Sequence, residues 1–583
     1  MKTFLKNILT TIIGIISSII VMILLIIGFV AIISSEEEVK VKENSILKID
    51  LANITVVERT SANPFDGFNL SGDIPNTMEL IDVLNTIEKA KTDENIKAIY
   101  LNTSTVNAGL SQTEEIRTKL IEFKESKKPI ISYAEVFSQK GYYLTSVADK
   151  IYLNPEGIVD LRGLSAGVMF YKGLLEKLDI DVQIIRHGKF KSAVEPFMLD
   201  KMSPANREQM QLLLNSFADN IMDSIASQRG LTLSEVQNHA NNLSLENAKS
   251  CLNFNYVDAL LYQDQIDDSL LAISQTEKIK FISLNKYAKV KTEKKEISRN
   301  KIAIIYANGE INSGKGDEKS IGSVTTAKAL KTARKDKNVK AIVLRINSPG
   351  GSALASDVIW RETVLAKKEK PLVVSMGDYA ASGGYYIACA ADSIVANPTT
   401  LTGSIGVFGM IPNLKKFYKN KLGITIDTVN SNKYADMGMN RPLSTFERNK
   451  IQKSVVDIYT TFITHVGEGR NMSTTAVDEI GQGRVWTGYD AKEIGLIDVF
   501  GGLEKAIEIA AILAKTEDDY RIISLPKKKD PFAELAIKLG EETSISDIVM
   551  QKLGLNSELI NPIENILKQD KVQARIPYYI EIN

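Results

Sequence analysis

Ser382 stands in "YAASGGYYIACAAD", between two alanines and two glycines, with an apolar run before it. A serine hydroxyl becomes a nucleophile only when an adjacent base takes its proton. Histidine is the usual base, yet the chain carries only His187, His239 and His465. His239 and His465 lie in helical surface text, and His187 reads as a polar residue at a strand end. A Ser-His-Asp arrangement therefore has little support. Lysine can serve if it is neutral, which requires its pKa to fall from about 10.4 to roughly 7–8 through burial. Lys191, in "HGKFKSAVEPF", is the candidate, with Arg186 and Lys189 as neighbours that could push the same way. Ser404, in "LTGSIGVFG", could hold such an amine toward Ser382. A tetrahedral intermediate also needs two donors aimed at its oxyanion. The N–H of Gly383, directly after the serine, is one candidate. Gly350 and Gly351 of "NSPGG" are the others.

Taken singly, such a lysine is most often solvated and "SPGG" is most often a turn. A duplication changes that weighting. "KPIISYAEVFSQKGYYLTSVADKIYLNP" begins at Lys128, and "KPLVVSMGDYAASGGYYIACAADSIVANP" begins at Lys370. Gly141 stands opposite Gly384 and Ala98 opposite Ala341, 243 residues apart in both cases. Two copies of one fold are the better reading. The first copy carries Gln139 and Lys140 where the second has Ser382 and Gly383, and "STVNA" where the second has "NSPGG". Conversely, Lys191 of the first copy faces Ala435 of the second. Each half lacks what the other retains, as expected if one site takes its serine from the second copy and its lysine from the first.

The elements that must position these residues alternate. "IAIIYANGEI", "VKAIVLRIN", "PLVVSM" and "SIVAN" read as strands, and "SDVIWRETVLAKKE" as an amphipathic helix. Ser203-Pro204 and the Ser444/Glu447 box read as helix starts. This alternation implies α/β domains with parallel strand pairs. The expected organisation is an anchor at 1–38, a first repeat at 39–295, a second at 296–520 and a tail at 521–583.

With 583 residues, one core is too few. Lys+Arg 71 against Asp+Glu 71 gives no net pull toward nucleic acid. Cys251 and Cys389 have no metal-ligand spacing and read as buried structural thiols. From Asn7 to Ser35 no residue is charged, long enough for a membrane-crossing helix. Lys2 and Lys6 before it and Glu36–Glu38 after it leave the N-terminus in the cytoplasm and the rest outside.

The serine-centred "SGGYYIACAAD", with "RINSPGG", "LTGSIG" and "KSAVEPF", resembles signal peptide peptidase A of the long, protease IV type. The resemblance covers nearly the whole chain except the tail. It implies a tandem Clp protease/crotonase-like α/β fold behind one N-terminal transmembrane helix. It implies a Ser/Lys-dyad endopeptidase of hydrophobic peptides, chiefly cleaved signal peptides, at the outer face of the bacterial cytoplasmic membrane. Ser382 would be the nucleophile, Lys191 the general base, Ser404 the residue positioning the lysine, and Gly383 with Gly350 or Gly351 the oxyanion donors. A homotetramer is implied, and no cofactor or metal. Two other readings compete: a crotonase-like acyl-coenzyme A enzyme, and a membrane-anchored scaffold with a dead protease fold.

Overall fold

The computed structural model describes residues 39–60, 76–290, 298–528 and 572–575, together with Thr10, Thr11, Ile13, Gly14, Ser17, Ser18 and Val21. The expected membrane-crossing stretch falls largely outside the described residues, among which no helix is long and apolar enough to cross a membrane.

Two parallel sheets are built in the same strand order. In the first copy the order is Ala259–Leu260, Lys150–Val159, Ile130–Phe137, Ile96–Leu101, Ser45–Ile49 and Phe281–Ser283. In the second, Val499–Phe500, Ser393–Ala396, Leu372–Ala381, Val339–Ser348, Lys301–Asn308 and Arg521–Leu525 repeat it. The chain is thus a tandem duplication of one α/β fold. The strands predicted from β-branched runs are present, and the "SDVIW" helix spans Ala353–Lys367. Arg521–Leu525, which the sequence boundaries leave in the tail, completes the second sheet.

Both copies carry a 26-residue helix, Pro204–Arg229 and Thr445–Arg470, with Ser203 and Ser444 as side-chain N-caps. Each serine accepts an N–H that the first turn would otherwise leave unpaired. Central strands such as Val339–Ser348 are buried on both faces over most of their length.

A third sheet joins the copies. Its order is Ser320–Gly322, Glu310–Asn312, Gly350–Ser352, Val572–Arg575, Val407–Asn413 and Asp181–His187. The last strand belongs to the first copy and pairs antiparallel with Val407–Asn413 of the second over seven residues. A buried ion cluster clamps the same joint. Arg345 of the second copy, fully buried, reaches Glu58 and Glu115 of the first at 2.8 Å. Burial pushes Glu115 up to about 6 despite the guanidinium beside it. Asp378 of the second copy accepts the N–H of Ser111 at 2.8 Å, and burial raises it to about 6.

Candidate active site

Strand Leu372–Ala381 delivers Ser382 to the start of helix Gly383–Ala388. Ser382 has φ 56° and ψ −112°, a conformation that costs a non-glycine residue on the order of 1–3 kcal/mol. It holds the N-cap position, yet its side chain makes no capping bond. The hydroxyl is therefore left for other work, and its backbone N–H is pinned to Gly403 O at 2.8 Å. Neither the turn nor the burial of Ser382, 0% exposed, suits an ordinary capping serine.

Lys191 follows strand Asp181–His187, whose pairing with Val407–Asn413 carries the first copy's loop over the second copy's serine. Lys191 Nζ lies 2.7 Å from Ser382 Oγ, 3.0 Å from Ser404 Oγ and 3.2 Å from Ser404 O. The lysine is 1% exposed, and burial lowers its pKa well below the ordinary value. A neutral amine has two N–H donors and one lone pair. The two oxygens of Ser404 can take the donors, which leaves the lone pair for the Ser382 proton. The expected push from Arg186 and Lys189 is not what the site uses. Arg186 faces the buried Glu195 carboxylate at 3.7 Å, and the Lys189 ammonium lies over the Phe190 ring. Burial alone depresses Lys191.

The candidate oxyanion glycines converge on the same turn. Gly350 has φ +102°, and a methyl there would come within 2.8 Å of Gly383 N. A methyl on Gly383 would reach 3.1 Å from Gly351 N. The Gly350 N–H donates to Ser348 Oγ at 3.2 Å. Only glycines let these two backbone segments approach so closely.

The histidines are elsewhere. His187 packs on Tyr459, with ring centroids 4.2 Å apart, and His239 packs on Phe254. His465, expected on a helical surface, instead stacks on Trp360 at 3.4 Å, where burial lowers its pKa. Cys251 and Cys389 are both buried free thiols.

Four positioning residues escaped the sequence reading. Gly483, φ +83°, admits the lysine stem: a methyl there would sit 2.6 Å from Lys191 Cβ. Gly406 gives way to Lys191 Cδ in the same manner. Glu195 accepts from Ser203 Oγ at 2.6 Å and Asn206 Nδ2 at 3.0 Å, fixing the loop after the lysine. Gln209 accepts from Val485 N and donates to Ser192 Oγ, linking that loop to the second copy. Gly406 and Glu195 lie inside the motifs "LTGSIGVFG" and "HGKFKSAVEPF", whereas Gly483 stands in "GQG" at 481–483, an ordinary turn on its face, and Gln209 in plain helical text.

A serine freed from capping duty, a buried amine and converging glycines are the parts of a serine hydrolase of the acyl-transfer class. The Peptidase family S49 model matches residues 122–275 and 365–517, one region in each copy. The chain belongs to that family and is a serine peptidase. It is 38% identical to Protease 4 of Salmonella typhi, over 80% of this chain and 78% of that one. It is 34% identical to the chloroplastic serine protease SPPA of Arabidopsis thaliana, over 82% and 76% respectively. Among solved structures, ClpP1 from Listeria monocytogenes aligns at 16% identity with a TM-score of 0.23, covering 34% of this chain and 91% of that one. A membrane-bound stomatin-specific protease, 1510-N, aligns at 16% with a TM-score of 0.26, over 39% and 99%.

Proposed function

We propose that this peptidase is a membrane-anchored endopeptidase whose catalytic residues are Ser382 and Lys191, contributed by different copies. The observation that carries this reading is the 2.7 Å approach of Lys191 Nζ to Ser382 Oγ, in buried surroundings that lower the lysine's pKa well below its ordinary value. Ser382 Oγ attacks the scissile carbonyl while its proton passes to Lys191. The amide of Gly383 receives the oxyanion together with that of Gly351, since the Gly350 N–H is engaged by Ser348 Oγ. Lys191 then protonates the leaving amine, and the ester on Ser382 is hydrolysed by water that the same lysine deprotonates. Ser404 holds the amine in line throughout.

The substrates are hydrophobic peptides, chiefly cleaved signal peptides, met at the outer face of the cytoplasmic membrane. The uncharged stretch from Asn7 to Ser35 supports the anchor, and its flanking charges support that orientation. A homotetramer is supported by an asymmetry between the copies. Asp181–His187 and Val407–Asn413 pair within the chain, whereas the stretches at corresponding places, near 163–170 and 424–431, belong to no strand. These stretches expose Met169, Ile424 and Val429, the last at 98%. Repeating the intrachain joint between neighbouring chains would cover them and close a ring.

A fluorophosphonate probe with mass-spectrometric mapping tests the dyad. An adduct on Ser382 that is lost in Lys191→Ala, together with cleavage of an apolar peptide, is the expected result. An adduct that survives loss of Lys191 would place the base elsewhere.

A further inference from the structure

The helix that follows the nucleophile is fastened one turn in. Tyr386, the fourth residue of Gly383–Ala388, is 2% exposed and donates its hydroxyl to Asp357 Oδ1 at 2.9 Å. Its backbone N–H also holds Ser382 O at 2.9 Å, so this ring and the nucleophile share one short piece of backbone. Burial and the facing carboxylate raise the Tyr386 phenol well above its ordinary pKa, so it remains a donor. Asp357 stands on helix Ala353–Lys367, which runs directly out of strand Gly350–Ser352. The two segments that bring the Gly383 and Gly351 amides together are therefore tied by a side-chain bond. Ser356, the other residue of that helix against Gly383, spends its hydroxyl on Ser352 O at 2.9 Å.

The Asp357 side chain is 46% exposed, which leaves its carboxylate room to rotate. His465, from helix Thr445–Arg470, gives it a second partner: Nε2 lies 3.4 Å from the same Oδ1. The imidazole is stacked on Trp360 with the ring planes 15° apart, and stands edge-on to Tyr386 at 5.5 Å. Its Nδ1 is buried with no hydrogen-bond partner among the described residues, so a neutral ring carries its proton on Nε2, facing Asp357.

The idle copy builds no such chain. Tyr143, Glu114 and Arg117 stand 243 residues before Tyr386, Asp357 and Trp360. Ser224 takes the place of His465, each 21 residues after its helix cap, Ser203 or Ser444. Glu114 accepts instead from Thr399 of the second copy, across the joint. Arg117 donates to the carbonyls of Tyr143 and Ser224, at 3.1 and 2.9 Å.

We infer that Tyr386, Asp357 and His465 are positioning residues whose bonds set the separation of the Gly383 and Gly351 amides at the oxyanion site. This rests on the Ser382/Lys191 reading. Two donors serve an oxyanion only when both lie about 2.7–3.1 Å from it, and here they come from separate elements. The Tyr386–Asp357 bond acts one helical turn from Gly383 and within the first turns of the helix behind Gly351. A small rotation of either element would open the pair. His465 acts one step further out, by keeping the carboxylate turned to the tyrosine.

The test uses full-length protein in detergent, reading kcat and KM on an apolar fluorogenic peptide and the rate of fluorophosphonate attachment to Ser382. Tyr386→Phe should lower kcat about 10-fold at unchanged KM, and labelling by a similar factor, because the probe's phosphoryl oxygen uses the same amides. Asp357→Leu should match it, whereas Asp357→Asn, whose amide oxygen still accepts, should stay within about twofold of wild type. His465→Ala should cost about threefold alone and nothing further in the Asp357→Leu background, since it acts through that carboxylate. Tyr143→Phe, which trims a ring 2% exposed in the idle copy, should leave kcat unchanged. Wild-type kcat and labelling in Tyr386→Phe would overturn the inference and leave the dyad standing. So would an equal loss in Tyr143→Phe, which would make the effect one of general stability. A wild type that neither cuts nor labels refutes the dyad, and the positioning role with it.

Discussion

The same turn exists twice in this chain and is armed once. In the second copy Ser382 caps helix Gly383–Ala388 in a strained backbone with its hydroxyl free of capping. In the first copy the helix Gln139–Thr145 starts one residue earlier relative to the shared Gly-Tyr-Tyr. Its cap is Ser138, in relaxed extended backbone at φ −67°, and that side chain accepts from Gly141 N. Gln139, opposite Ser382, spends its amide oxygen on the N–H groups of Arg162 and Gly163 at 3.1 and 2.8 Å. Lys140, opposite Gly383, donates to Ala108 O at 2.9 Å, across the place where the glycine pair would stand. The scaffold around both turns is unchanged: Tyr142 donates to Tyr256 O and Tyr385 to Leu496 O, at 2.6 and 2.8 Å. Strain and open hydrogen-bonding capacity are kept only where a lysine arrives, and the idle turn has relaxed into an ordinary satisfied cap. The difference teaches that the fold positions such a turn at little cost, while poising it requires the other copy.

The comparison predicts its largest effect at the proposed dyad. Ser382→Ala or Lys191→Ala should lower peptide hydrolysis by about 10³-fold or more, measured as kcat/KM on an apolar peptide. The double change Gln139→Ser with Lys140→Gly should create no measurable second activity, since Ala435, the residue of the second copy that corresponds in sequence to Lys191, has no amine. Adduct formation at residue 139 would break the comparison.

The joint between the copies comes next. Arg345→Met leaves Glu58 and Glu115 facing each other in a buried site, and breaking such a cluster costs about 3–5 kcal/mol. Urea unfolding should show this loss near neutral pH. Glu115 has a raised folded pKa, so its protonated form favours the fold, and that support is lost as pH rises through about 6. The variant should therefore recover part of its stability at pH 5. Equal loss at both values would show that the charges are not the cause.

Lys191 reverses that sign. Its folded pKa is lowered, so stability is fully present above its ordinary value near 10.5 and lost as pH falls through the folded value. Lys191→Met should melt higher than the wild type, with a gap that widens toward acid. In the wild type, kcat/KM should rise with pH to a midpoint well below 10.5. A flat profile across that range would remove lysine as the base.

Ser404→Ala should be milder, roughly 10-fold in kcat, because it loosens the amine without removing it. Gln139→Ala should be smallest, leaving the rate unchanged and costing about 1 kcal/mol through its lost bonds.

The sequence by itself determined the duplication, the alternation of strand and helix, and the division of serine and lysine between the copies. These were legible because they are patterns of spacing: a period of 243, β-branched runs, and Ser-Pro or Ser-x-x-Glu helix starts. It also marked His465 as surface text, where packing on Trp360 decided otherwise. Only the tertiary structure decided that Lys191 is buried, that burial rather than Arg186 or Lys189 lowers its pKa, and that Gly406 and Gly483 make room for it. It alone seated four residues of an unmatched tail beside the nucleophile. Distance and desolvation arise between segments 191 residues apart along the chain, and no local pattern of residues records which of them will exclude water from the other.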